Sequence, residues 1–302
     1  MQARLIAYVP EGAAIAKIVA PGACLRIGRD DGADLHIGHA SVSRLHAELQ
    51  PEGEAWRLVD LDSKNGSFVN GARVHQEMLG RTCWLRFGDV HCEFSLLDTD
   101  AADAQARRWR DRRAQATLLT ARIDALGQAA SADSDRGRVL LDHSLRAVLE
   151  LSQCSRGYVL IDDGGRYRVA TSITLDPRLA AGNDFSGSLG AVAQALRLRE
   201  PVAFNDIGQD AWLATRDSVA AAGLRTLVAL PLLDGTRPLG AIYADRRDAG
   251  PPLTTLDVEL LQAFAERCAL WIATQREASA DHPAPEIPDD WSRLVGGSGT
   301  TQ

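Results

Sequence analysis

Three short clusters near the start of this 302-residue chain carry side chains suited to holding an anion. They are Arg26-Ile27-Gly28-Arg29, Ser41-Val42-Ser43-Arg44-Leu45-His46 and Ser63-Lys64-Asn65-Gly66-Ser67-Phe68-Val69-Asn70-Gly71. Guanidinium forks donate bidentate, charge-assisted bonds to phosphate oxygens, an ammonium adds a point charge, and hydroxyls complete the shell. Asparagine carries both a donor and an acceptor and can pair with a peptide backbone. The chemistry implied is recognition of a phosphate on a peptide, with no bond made or broken.

The motifs of catalysis are missing. No G-x-x-x-x-G-K-[ST] occurs; Gly296-Gly297-Ser298-Gly299-Thr300-Thr301 lacks the lysine. There is no H-E-x-x-H and no kinase motif set. Ser186-Gly187-Ser188-Leu189-Gly190 comes near G-x-S-x-G, but no histidine lies between His143 and His282 to serve it. His36 and His39 form only an H-x-x-H, so no metal site and no cofactor are expected. The net charge of −7 argues against non-specific grip on nucleic acid or an anionic membrane. Any anion site must be a local arrangement. The Arg107 to Arg113 run reads as a solvated helix face. Five cysteines without C-x-x-C spacing read as reduced thiols, and no apolar run or leader is visible, so a cytoplasmic protein is expected.

The three clusters fall at the ends of short apolar stretches. From residue 1 to 98 such stretches are separated by Pro21-Gly22, Asp31-Gly32, Asn65-Gly66, Asn70-Gly71 and Gly88-Asp89, the pattern of an all-β sandwich whose loops can converge on one ligand. Residues 99–136 change character: good helix formers, no proline, and a stripe of Leu118, Leu119, Ile123 and Leu126 preceded by Trp109. The stripe suggests a homodimer, with packing onto the helix at 255–275 as the alternative. Residues 137–277 alternate in an α+β manner. A helix carries Val139, Leu140, Leu145, Val148, Leu149 and Leu151. A hairpin joins Gly157–Ile161 to Tyr167–Thr171, and a helix from Ser188 is capped by Ser186 or Ser188. A strand at 202–204 and a helix at 209–222 follow, then strands at 226–232 and 239–246. The last helix starts at Thr254 or Thr255. Residues 278–302, rich in Pro and Gly, read as a flexible tail.

G-R, then S-x-x-H about 15 residues on, then two N-G pairs five residues apart make residues 1–98 resemble the forkhead-associated (FHA) family. The resemblance implies a β-sandwich that binds phosphothreonine peptides. Carried over by position, Arg29 and Ser43 would contact the phosphate, and Arg44 and Lys64 would line the same pocket. Asn65 would hold the peptide backbone, with Asn70 in the same binding set and shaping its loop. Gly28, His46 and Gly66 would shape the loops, His46 as a structural bridge. Lys64 departs from the Ser or Thr often found before the N-G, but a lysine still suits an anion.

Residues 137–277 resemble the GAF family through Arg156-Gly157-Tyr158-Val159-Leu160-Ile161, the run from Ala222 to Leu232, and Leu239-Gly240-Ala241-Ile242-Tyr243-Ala244-Asp245. The resemblance implies an antiparallel sheet with helices, and either small-molecule binding or dimer formation. No lysine lies in this segment, so the pattern of cyclic-nucleotide binders is not evident. Cys154 and Cys268 read as packing residues on helices, and Trp212 and Phe185 as packing residues. The whole is expected to be a non-catalytic signalling adaptor docking a phosphothreonine protein made by a serine/threonine kinase. The alternative is a small-molecule sensor, of use in transcriptional regulation, with the first domain as its protein-interaction platform.

Overall fold

The computed structural model describes residues 1–10, 12–129, 134–163, 166–175, 185–205 and 224–279. Two compact units divide the chain, one holding Met1–Asp111 and the other beginning at Arg112.

The first unit contains β1 (Gln2–Tyr8), β2 (Ile15–Val19), β3 (Leu25–Gly28), β4 (Leu35–His36), β5 (Ala47–Glu52), β6 (Ala55–Asp60), β7 (Ser67–Val69), β8 (Ala72–Val74), β9 (Gln76–Leu79), β10 (Thr82–Phe87) and β11 (Val90–Leu97). They form a six-stranded sheet, β2-β1-β11-β10-β7-β8, and a five-stranded sheet, β4-β3-β5-β6-β9. Alternation decides which face is inside. In β10 Cys83, Leu85 and Phe87 are buried while Trp84 and Arg86 face outward. Ile27, Leu49, Trp56 and Leu58 of one sheet meet Leu5, Leu85, Phe87 and Phe94 of the other in a single core. The unit is thus a β-sandwich. Three strands lie outside the stretches expected from sequence: β4, which pairs in parallel with β3, and the short β8 and β9. Each has two to four residues and too little alternation to stand out. Asn70 and Gly71, both at positive φ, close the β7–β8 turn.

Helix α1 (Thr99–Ala129) follows, then α2 (Ser134–Ser152), β12 (Arg156–Asp162), β13 (Tyr167–Thr174), α3 (Leu189–Leu198), β14 (Val202–Asn205), β15 (Thr226–Asp234), β16 (Arg237–Arg246) and α4 (Thr255–Ser279). The strands form one antiparallel sheet, β13-β12-β16-β15-β14. Leu140, Leu145 and Val148 of α2 and Leu261, Phe264 and Cys268 of α4 cover one face. Val192, Ala195 and Leu196 of α3, with Tyr158, Phe185 and Tyr243, pack on the other. Ser188 caps α3 by accepting the Ala191 N–H. Thr254 and Asp257 make a reciprocal cap at the start of α4.

Three expectations change. The α1 stripe has cover within the chain: Ala116 and Ile123 are buried in the same core as α2 and α4, with Leu119 against it, while Leu118 stays 73% exposed. The premise that this stripe lacks an intramolecular partner therefore falls, because it lies over the α2–α4 pair. Arg112 likewise leaves the solvated face of its arginine run; its guanidinium donates to the Leu151 carbonyl and pairs with Asp257 at 3.1 Å. Cys154 sits between α2 and β12 and not on a helix, since α2 ends at Ser152. Burial pushes the Cys154 thiol up to about 11 and the Cys268 thiol up to about 12, which leaves both as inert packing groups at neutral pH. The expected helix at 209–222, Trp212, and the tail from 280 onward lie outside the described residues.

Candidate functional site

Four connections of the first unit are tied to one another by specific hydrogen bonds. They are the β3–β4 segment from Arg29, the β4–β5 segment ending at His46, the β6–β7 segment Leu61–Gly66 and the β10–β11 turn at Gly88-Asp89. Arg29 N–H donates to the Ser43 carbonyl (2.9 Å) and Asp30 N–H to the Arg44 carbonyl (3.2 Å). That zipper holds two backbones so close that a Cβ at Gly28 would overlap the Arg44 carbonyl. Only glycine fits there.

His46 is wholly buried and bridges two of the connections. Its Nδ1 accepts the Ser43 N–H at 3.0 Å, so its proton sits on Nε2, which donates to the Gly66 carbonyl at 3.2 Å. The ring meets Phe87 edge-on at 5.5 Å. Burial lowers its pKa, outweighing the Gly66 bond and the nearby Asp60 charge, so the neutral ring is the resident form. Asp60 organises the third connection by accepting from the hydroxyls of Ser63 and Ser67, both at 2.6 Å. Burial works to raise Asp60, but these bonds outweigh it and hold the carboxyl below its usual range. Ser63 Oγ then accepts the Gly66 N–H at 3.0 Å, and Gly66 takes φ +82°.

The ligand-type groups stand on this frame. Lys64 N–H donates to Ser43 Oγ at 3.0 Å, which leaves the serine's own proton for another acceptor. Arg29 Nε donates to the Val42 carbonyl at 3.2 Å, which steadies the guanidinium and leaves its Nη groups for another partner. Arg29, Arg44 and Lys64 are all exposed. Asn65 spends one amide proton on the Ser41 carbonyl at 2.8 Å, tying the β6–β7 segment to the β4–β5 segment. Asn70 Oδ1 accepts the Trp84 N–H at 3.0 Å, so its hydrogen bonds run to β10. The structure thus links Arg29, Ser43, Lys64, His46 and Gly66 through direct bonds, ties Asn65 in through Ser41, brings Arg44 in through the Gly28 contact, and places Asn70 on the β7–β8 turn.

Sequence reasoning missed several members. Ser41 Oγ accepts the Asp89 N–H at 2.8 Å and so ties in the β10–β11 turn. Asp60, Ser63 and Ser67 carry the loop scaffold. Arg73 of β8 packs over Gly66: a Cβ built there would lie 2.6 Å from Arg73 Nε. The Asp-x-x-Ser spacing of Asp60 and Ser63 was readable as a side-chain-stabilised turn; nothing in the sequence marks Arg73.

The second unit has its own polar network. Arg156 and Asp245, 5% and 1% exposed, pair across β12 and β16, with Arg156 Nε 3.0 Å from Asp245 Oδ1. Arg156 also donates to Ser186 Oγ (2.9 Å), which lies 2.7 Å from the Tyr158 hydroxyl, and Ser188 N–H donates to the Tyr243 hydroxyl (3.0 Å). Tyr158, Phe185 and Tyr243 pack as an aromatic trio beside it. Among the described residues no group of three His, Cys, Asp or Glu is poised to hold a metal, and no helix is long and apolar enough to cross a membrane.

Comparison with known proteins follows the two units. Residues 25–90 match the FHA domain family and residues 137–272 the GAF domain family. A 75-residue stretch, 25% of this chain, is 39% identical to the ABC transporter ATP-binding/permease protein Rv1747 of Mycobacterium tuberculosis, covering 9% of it. A 67-residue stretch, 22% of this chain, is 33% identical to the glycogen accumulation regulator GarA of Mycolicibacterium smegmatis, covering 42% of it. The chain spans less than half the length of the curated relatives it matches. Among solved structures, the FHA domain of the CT664 protein from Chlamydia trachomatis is 26% identical, with a TM-score of 0.29, covering 32% of this chain and 99% of that one. The Rv1747 FHA-1 structure from Mycobacterium tuberculosis is 23% identical, with a TM-score of 0.27, covering 32% and 97%. The chain carries an FHA domain followed by a GAF domain.

Proposed function

We propose that this chain is a non-catalytic, cytoplasmic signalling adaptor that docks a phosphothreonine protein, the product of a serine/threonine kinase, on the loops of its FHA domain. The observation that carries this reading is the Ser43–Lys64 junction. The Ser43 hydroxyl is held as an acceptor by the Lys64 N–H, so its proton is left for a ligand, beside three exposed cations, Arg29, Arg44 and Lys64. A phosphothreonine brings about −1.5 to −2 charges and three strong acceptors, which matches that donor set. Asn65, already fixed to Ser41, keeps a second amide proton and its carbonyl for the peptide backbone. Gly28, His46 and Gly66 hold the loops in place, and Asn70 supports them from the β7–β8 turn. The GAF domain serves as the sensory or dimerising part, and a homodimer would have to rest on exposed groups such as Leu118 and Leu270 and not on the buried Ile123 side of α1.

Titration of phosphothreonine peptides and their plain forms against wild type and Arg29→Ala tests the reading. A charge-assisted bond contributes roughly 1.5–3 kcal/mol. Loss of Arg29 is therefore expected to weaken binding at least about tenfold, at 1.4 kcal/mol per decade. Wild type that binds no phosphopeptide below about millimolar, or equal binding by Arg29→Ala, would sink it.

A further inference from the structure

Arg86 of β10 and His91 of β11 stand directly opposite each other on the outward face of the six-stranded sheet. Arg86 is held twice. Its guanidinium carbon lies 3.5 Å from the Phe68 ring centroid, and its Nη1 donates to the Gly88 carbonyl at 2.5 Å. Gly88 sits in the β10–β11 turn at φ +59°, where a Cβ would overlap the Ser41 carbonyl, and its N–H donates to the Gly66 carbonyl at 3.2 Å. The next residue, Asp89, donates its N–H to Ser41 Oγ, and the Ser41 carbonyl holds the Asn65 amide. An arginine outside the binding loops therefore clamps the turn that positions Ser41 and, through it, Asn65.

His91 is the neighbour of Arg86 whose charge can change near neutral pH. It points away from the core, yet is only 7% exposed. Arg86 faces it from β10, Tyr8 from β1, Asp89 from the turn, and Glu93 from two positions along β11. Burial and Glu93 push the Tyr8 pKa up, so Tyr8 stays neutral, while Glu93 is paired with Arg4 at 2.9 Å. Burial and Arg86 push the His91 pKa down, against the pull of Asp89. The ring is thus neutral at pH 7 and takes its proton below about pH 6.5. Two like charges then stand opposite each other on paired strands, which is destabilising. The arrangement in which Arg86 has moved away binds that proton more tightly, so acid favours it. We propose that Arg86 and His91 form a proton-operated latch on the recognition loops. With His91 neutral, Arg86 holds Gly88 and the loops are set; with His91 protonated, Arg86 releases Gly88, and Ser41 and Asn65 loosen. The effect on ligand rests on the phosphothreonine reading; the latch itself does not.

The test uses the full chain without ligand. NMR titration from about pH 8 to about pH 5 follows the His91 ring, and hydrogen exchange corrected for its intrinsic rate gives the protection of the Asp89 N–H. Like charges placed opposite are worth up to about fivefold in an equilibrium. Asp89 protection in wild type is therefore expected to fall about two- to fivefold more than in His91→Asn, with the midpoint of the His91 ring. His39, 2.8 Å from Ser41 Oγ, and His46 remain in that variant, which reports their share. Arg86→Gln is expected to raise the His91 midpoint and to leave Asp89 poorly protected at every pH, while Phe94 N–H protection reports that the sandwich is folded. An equal Asp89 response in wild type and His91→Asn, or a His91 midpoint unmoved by Arg86→Gln, overturns the latch. So does an Asp89 amide in wild type that ignores the His91 titration, a result that needs no variant. A phosphothreonine peptide is then added. Comparison at one pH removes the phosphate's own titration near about pH 6, and wild type is expected to bind about two- to fivefold more weakly than His91→Asn at about pH 5 only. Equal affinities there overturn the link from latch to site. If the peptide fails to bind wild type at about pH 8, the phosphothreonine reading falls, and the latch is judged on Asp89 alone.

Discussion

Replacing His46 by alanine separates the frame of the site from its cations. The ring accepts the Ser43 N–H at 3.0 Å, donates to the Gly66 carbonyl at 3.2 Å and packs edge-on against Phe87. Two neutral hydrogen bonds contribute about 1 kcal/mol each. The ring contact adds about 0.5–1.5 kcal/mol. The expected loss is therefore about 3 kcal/mol, or roughly two decades in the opening equilibrium. Hydrogen exchange of the β5 and β10 amides in the full chain reads it directly, because those strands surround the ring. The direction of pH dependence is also set. Burial depresses the His46 pKa in the folded state, so the unfolded chain takes up the proton first. The stabilisation is complete above about pH 6.5, the unfolded value, and is lost as pH falls from there toward the folded value. Burial depresses His91 in the same direction, so His46→Asn should flatten the pH profile without abolishing it. Asp60, also depressed, adds a loss only below about 3.8. Protection in His46→Ala within threefold of wild type, or a stability that rises as pH falls from 7 to 5, would refute this account of the bridge.

Gly28→Ala should unfold or distort the FHA loops, since its Cβ would overlap the Arg44 carbonyl; unchanged phosphopeptide affinity and exchange protection would count against the close approach. Asn65→Ala should weaken phosphorylated and plain peptides by the same factor, because it removes a backbone contact and not a charge; calorimetric titration of both forms checks this. Phosphoserine peptides should bind a few-fold less well than phosphothreonine, one buried methyl being worth roughly 0.8 kcal/mol, and equal affinities would remove the methyl from the argument. In the GAF domain Asp245→Ala should cost about 3–5 kcal/mol by leaving Arg156 buried without its partner, as seen by denaturant titration, whereas replacing both by apolar residues should cost much less.

Much of this protein was legible from residue order alone. Alternation of apolar residues marks the long strands such as β10 and β11, whose faces must differ in a sandwich. Gly28, Ser43, His46, Asn65 and Gly66 sit at strand ends in a spacing that declares a loop site, and the Ile123 stripe declares a covered helix face. What covers that face was decided only in three dimensions, because burial depends on the α2–α4 pair, whose Phe264 and Cys268 are more than a hundred residues away. The division of labour among the site residues was likewise tertiary. A side chain's type states which bonds it can make. Which of them are already used depends on the neighbours that sheet register brings within 3 Å. That is why Asn70 turns to Trp84, Asn65 gives one proton to Ser41, and Ser43 receives the Lys64 N–H. It is also why Arg73, on a three-residue strand with no pattern of its own, lies over Gly66, seven positions earlier in the chain.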